Sequence, residues 1–212
     1  MEHFIPGKIS SCLNRIFLIV IIIVIYNSIS FAQEKKAGFI ITGGATYQIG
    51  KGNFAEYWNS GFNGGFGVYV RPKTNITIDV LFCRHFIPFN DKKFNKIHGL
   101  ALDYKEGEAN ITTIMAGLIY VFTPGKLISP YVKAGIGIMK TSIEQIKVGE
   151  INYYWIFPDN FHKATKIELS FGTGLQVNFQ KNACLQLGIN LDAGINGNEK
   201  IWIVPVTLRL LF

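Results

Sequence analysis

From Lys166 to Phe179 the side chains separate into two sets by strict alternation. Ile167, Leu169, Phe171, Thr173, Leu175, Val177 and Phe179 fall on one side, and Lys166, Glu168, Ser170, Gly172, Gly174, Gln176 and Asn178 on the other. A period of two marks a β-strand with one apolar face. After Gln180-Lys181-Asn182 the pattern resumes, with Leu185, Leu187, Ile189 and Leu191 set against Cys184, Gln186, Gly188, Asn190 and Asp192. Two long, regular strands joined by so short a turn predict an antiparallel hairpin.

Alternation alone does not say which face is inside. Gly172, Gly174 and Gly188 all fall on the polar face, where the crowded interior of a narrow barrel needs small residues. The bulky aliphatic side chains therefore point outward. The hairpin reads as part of a transmembrane β-barrel with its apolar face toward lipid.

The same alternation runs through the rest of the chain. Ala37 to Ile49 predicts a first strand with Phe39, Ile41, Ala45 and Tyr47 outward, followed by a loop over Gly50 to Ser60. Gly61 to Arg71 places Phe62, Phe66, Val68 and Val70 outward, and Asn63, Gly65, Gly67, Tyr69 and Arg71 inward. Pro72-Lys73-Thr74-Asn75 has the composition of a tight turn. Ile76 to Phe86 then sets Ile76, Ile78, Val80 and Phe82 against Thr77, Asp79, Leu81, Cys83 and His85. Ile87 to Ala109 is too polar to cross a bilayer.

Asn110 to Phe122 predicts a strand with Ile114, Ala116, Leu118, Tyr120 and Phe122 outward and Thr113, Met115 and Gly117 inward. Thr123-Pro124-Gly125-Lys126 begins the short connection to Pro130 through Ile143, where Val132, Ala134, Ile136 and Ile138 oppose Lys133, Gly135 and Gly137. Glu144 to Lys163 reads as a long loop. The hairpin fills 164 to 194, Asn196-Gly197-Asn198 forms a small loop, and Lys200 to Phe212 closes the sheet. The expected fold is all-β, an eight-stranded antiparallel up-and-down transmembrane barrel. Its long and short connections alternate, as in outer-membrane barrels with short periplasmic turns.

Composition narrows this further. At 212 residues and 49% hydrophobic, the chain holds one domain of about eight tilted strands of roughly 10 residues each. Residues 1–32 read as a signal peptide: Lys8 and Arg15 precede the apolar run Ile16 to Tyr26, and Ser30-Phe31-Ala32 supplies small residues for cleavage. The barrel domain is then 33–212. Cys12 leaves with the leader, and Cys83 and Cys184 are expected at different depths, hence unbridged. The net charge is +7, or +6 once the leader with Lys8, Arg15 and Glu2 is removed, which suits anionic headgroups, while the scatter of basic residues gives no nucleic-acid signature and no nucleic acid is expected as a partner.

The last strand carries the most specific motif. Trp202, Val204, Val206, Leu208, Leu210 and Phe212 share one face and the chain stops on an aromatic residue. This resembles the carboxyl-terminal signal read by the barrel assembly machinery. The chain from about residue 37 to 212 resembles the small outer-membrane β-barrel domain family, similar in architecture to the barrel of outer membrane protein A. The resemblance implies the outer membrane as location, its lipid as surroundings and the assembly machinery as a partner in biogenesis. Pro205 departs from an ideal strand, and a bulge or weakened pairing is expected there.

Candidate chemistry is sparse. Arg71, Asp79, Lys133, Lys166, Glu168, Asp192 and Arg209 are expected inside as a plug of compensating ion pairs. Barrels resembling lipid A deacylases use a lipid-facing His and Ser, but His85 is expected inward, and His98 and His162 lie in or beside loops. No His or Cys pair has metal-ligand spacing. Gly135-Ile-Gly137 and Gly172-Thr-Gly174 lack the helix of a nucleotide loop. No catalytic, metal or cofactor residues are therefore expected. Asn75-Ile-Thr77 and Asn110-Ile-Thr112 match a glycosylation pattern by chance.

Phe39, Tyr47, Phe62, Tyr120, Phe122, Phe179, Trp202 and Phe212 fit interfacial girdles. Tyr57, Trp58, Tyr153, Tyr154 and Trp155 are expected in exposed loops that offer a surface partner a contact. The expected function is a non-enzymatic role in envelope structure or surface interaction. The alternatives are a narrow channel, an accessory barrel of a secretion system, or a soluble lipocalin-like carrier.

Overall fold

The computed structural model describes residues 37–49, 57–98, 104–106, 108–143, 146–148, 151–153, 163–180, 183–196 and 199–212. The leader assigned to 1–32 lies outside these residues, as do Tyr154, Trp155 and His162.

In chain order the elements are β1 (Ala37–Ile49), β2 (Gly61–Lys73), β3 (Ile76–Pro88), α1 (Asp91–His98), β4 (Tyr104–Glu106), β5 (Glu108–Val121), β6 (Ile128–Ile143), β7 (Ile146–Val148), β8 (Ile151–Tyr153), β9 (Lys163–Asn178), β10 (Cys184–Asn196) and β11 (Glu199–Leu211). Eight of them close a barrel in the order β1-β11-β10-β9-β6-β5-β3-β2, and β4, β7 and β8 form a separate three-stranded sheet. Each barrel strand pairs antiparallel with both neighbours. Closure leaves no open edge, which is what lets strands cross a bilayer with their backbone groups satisfied.

The burial pattern is inverted relative to a water-soluble protein. Ile114, Leu118, Ile136, Ile138, Ile167, Phe171, Leu187 and Ile189 are exposed, while Asp79, Lys133, Lys166, Glu168, Asp192 and Arg209 are buried. Only an apolar solvent makes this distribution favourable. The inward and outward faces agree with the alternation along β9 and β10, where Leu187 stands opposite Leu175 and Gln186 opposite Gln176.

The short connections β2–β3, β5–β6 and β9–β10 lie at the end where β1 begins and β11 stops. Gly125 carries a φ of 85° in the β5–β6 turn, a conformation costly for other residues. Lys126 N donates to Thr123 O at 3.3 Å to close that turn. Phe39 and Phe212 exchange backbone hydrogen bonds of 2.9 and 3.1 Å at the seam.

Several boundaries differ from expectation. β2 runs on through Pro72 to Lys73, and the turn tightens to Thr74-Asn75. A register shift between Val70 and Lys73 absorbs the proline, as bulges do. The polar segment after β3 holds α1 and β4, and the loop after β6 holds β7 and β8. Opposite Pro205 the β10–β11 ladder stops at Ile189–Val206 and resumes at Asp192–Ile203 in the same register. Pairing is therefore interrupted there without a bulge, because proline has no N–H to donate.

Candidate functional site

The lipid-facing wall is apolar over most of its height, and the polar and charged side chains gather in the interior, at the outer mouth and at the rim. In the interior, alternate residues of every strand converge on the axis. Asp79 on β3 accepts a hydrogen bond from Nη2 of Arg209 on β11, and its Oδ2 lies 3.5 Å from Nζ of Lys133 on β6. All three side chains are almost wholly inaccessible. These strands are not neighbours, so the three charges tie separate parts of the wall across the lumen. Such a trio is stable in a dry interior only while the charges offset one another.

Compensation elsewhere is less complete than the expected plug. Asp192 accepts from Ser170 Oγ at 2.5 Å. Glu168 is 0% exposed, and neither of its carboxylate oxygens accepts a hydrogen bond among the described residues. Arg71 donates to Cys184 Sγ at 3.1 Å and lies over the Tyr69 ring. Replacing Glu168 with Gln is accordingly expected to leave stability unchanged or raise it by about 1 kcal/mol, because a buried carboxylate without donors is a cost. Urea titration of the vesicle-inserted protein measures this. A clearly lowered midpoint would mean that the carboxylate is held by a partner after all.

The interior glycines make room for large neighbours. A Cβ on Gly174 would lie 2.7 Å from both Cζ and Oη of Tyr131, and one on Gly117 would lie 2.8 Å from Cε of Lys133. The small residues of the polar face are thus the space that aromatic and charged side chains fill.

An apolar cluster packs at the outer mouth. Tyr57, Trp58, Ile87, Phe94, Ala109, Ile111, Met139, Ile201 and Ile203 form one buried cluster, with Phe89 against it. This corrects the expectation that Tyr57 and Trp58 are exposed: Trp58 retains 1% of its surface. Its ring meets Phe89 edge-on at 5.4 Å, and Tyr57 meets Phe94 at 5.1 Å. Backbone bonds from Asn59 N to Pro88 O and from Asn90 N to Tyr57 O, both 2.8 Å, fix the segment over the mouth. Asn90 Oδ1 accepts from Lys93 N at 2.9 Å and so caps α1.

His85 points inward and is hydrogen bonded through Nδ1 to Thr46 Oγ1 at 2.8 Å. His98 closes α1, and its side chain lies outside the described residues. Ser170 and Asp192 face the lumen too, so the described residues bring no His and Ser together on the lipid-facing wall. Among the described residues no group of three or more His, Cys, Asp or Glu could hold a metal ion. Cys83 and Cys184 are buried and unbridged.

The expected aromatic girdles are present at both ends. Phe39, Tyr120, Phe122 and Phe179 are exposed at the short-turn end, and Tyr47 and Phe62 at the other. Phe62 stacks on Phe86 with ring centroids 4.8 Å apart.

Comparison with known proteins places this architecture. No curated protein matches the chain. Among solved structures, Neisserial surface protein A is 15% identical, with 82% of this chain and 97% of that chain covered and a TM-score of 0.54. The N-terminal β-barrel domain of Pseudomonas aeruginosa OprF is 16% identical over 85% of this chain and 100% of its own, with a TM-score of 0.48. The outer membrane enzyme PagL also matches, at 16% identity over 83% of this chain and 98% of that chain, with a TM-score of 0.40. Identities this low concern the fold alone. The outer membrane protein beta-barrel domain family matches residues 18–202, and with a closed eight-stranded barrel that is apolar outside and charged within, the chain belongs to that family and resides in the outer membrane.

Proposed function

We propose that this protein is a non-enzymatic integral barrel that serves envelope structure or surface interaction and conducts no ions. The observation that carries the reading is the occupied lumen: Asp79, Lys133 and Arg209 meet across it, and Trp58 packs into its outer mouth. A channel requires a continuous polar path, and the buried apolar cluster at the outer mouth supports the reading without one. The surface role is supported by the structured segments at that end, namely α1 and the β4-β7-β8 sheet, with Lys92, Lys93 and Lys96 exposed on α1. The lumen-facing Ser170, Asp192 and His85 support the non-enzymatic part, because lipid substrates meet the outer wall.

Planar-bilayer recording tests this. The refolded protein is expected to give no discrete current steps, and its phospholipid bilayer is expected to release no fatty acid. Sustained conductance would favour the narrow-channel reading, and acyl release would favour an enzyme.

A further inference from the structure

On the wall formed by β3, β5, β6 and β9, successive register rows of outward side chains can be followed from one rim to the other. Ile78, Leu118, Ala134 and Phe171 form one row, Val80, Ala116, Ile136 and Leu169 the next, and Phe82, Ile114, Ile138 and Ile167 the third. The following row, toward the end with the long connections, is Arg84, Thr112, Lys140 and Thr165. Apolar wall gives way to two cations and two hydroxyls in a single step.

Arg84 and Lys140 are both exposed on the outer wall. Neither forms an ion pair among the described residues. Arg84 is held in place: its Nε and Nη2 donate to Asn110 Oδ1 at 3.1 and 2.9 Å, and its guanidinium lies 4.9 Å from the Phe86 ring centroid. Lys140 stands two strands away, with Thr112 directly between them. At about 4.8 Å per strand the two Cα atoms are roughly 10 Å apart, within reach of two long side chains closing on one anion. Guanidinium and ammonium groups suit phosphate oxygens, and the intervening hydroxyl adds a donor.

We propose that Arg84, Thr112 and Lys140 form a docking site for the phosphorylated headgroup of an outer-leaflet lipid. The cations occupy the row where the apolar wall ends, the depth at which a headgroup lies. The three apolar rows beneath continue the same surface and give the acyl chains of that lipid a place to run. This continuity favours a lipid over a soluble anion. Unpaired cations on a lipid-facing wall are costly near mid-membrane and tolerated close to the interface, where anionic headgroups attract them. The site goes beyond the surface role proposed above and does not depend on it.

The test uses the full-length mature barrel in phosphatidylcholine nanodiscs doped with diphosphorylated lipid A or its dephosphorylated form, with retained lipid counted by native mass spectrometry. Wild type is expected to retain the phosphorylated lipid preferentially. Retention should fall about fivefold in Arg84→Gln or Lys140→Gln and about thirtyfold in the double variant, the size of anionic-lipid attraction per basic residue. Heat-modifiable mobility confirms that each variant is folded. Lys126→Gln, in the turn at the opposite end, is expected to change nothing. Equal retention of both lipids, an unaffected double variant, an equal loss in Lys126→Gln, or displacement by inorganic phosphate would each overturn the proposal.

Discussion

Asp79→Asn is expected to destabilise the folded barrel by about 3 to 5 kcal/mol, the cost of removing one partner from a buried ionic group. Asp79 stands between Arg209 and Lys133, both buried. An amide in its place leaves two buried cations facing each other without a compensating anion between them. Urea titration in phospholipid vesicles, followed by heat-modifiable mobility, reads the change directly. A second substitution makes the cause specific. In Asp79→Asn combined with Arg209→Met, one of the stranded charges is gone, and the loss should be smaller than for Asp79→Asn alone. A midpoint shift equivalent to less than about 1 kcal/mol in the single variant would mean that the trio contributes little.

Trp58→Ala is expected to cost about 3 to 5 kcal/mol, the range for deleting a large aromatic from a packed core. Its ring packs among side chains drawn from β3, β5, β6 and β11, and removing it leaves a cavity among them. Loss of the ring also thins the apolar barrier above the charged interior. Guanidinium unfolding in vesicles measures the first effect and bilayer recording the second. Unchanged unfolding would place Trp58 outside the cooperative structure.

The wall of the barrel was legible because one variable decides it. Each strand has a lipid face and a lumen face, and strict alternation through Ile167 to Phe179 or Ile76 to Phe82 assigns every side chain without reference to the rest of the chain. What lay across the lumen was not legible. Asp79 and Arg209 are 130 residues apart, and alternation says that both face inward without saying that they meet. For the same reason the expected plug was only partly right: Glu168 and Asp192 were correctly placed inside, but among the described residues Glu168 has no hydrogen-bond donor.

Tyr57 and Trp58 were misread because their sequence neighbours Asn59 and Ser60 are polar. Their burial comes from Ile87, Ile111 and Ile203, distant in the chain. The helix α1 escaped notice for a different reason. Its eight residues carry only Phe94 and Ile97 as apolar positions, too few for a helical period to stand out. Pro205 was read correctly, since loss of one donor is a property of the residue itself.

The pairing of β1 with β11, from Ile40–Leu211 to Ile49–Trp202, joins the two extremes of the folded domain. The cylinder therefore has no finished precursor: until β11 is in place, β1 and β10 would each face the bilayer with a row of backbone donors and acceptors that acyl chains do not satisfy. A chain cut anywhere before β11 therefore leaves an open sheet rather than a slightly smaller closed barrel.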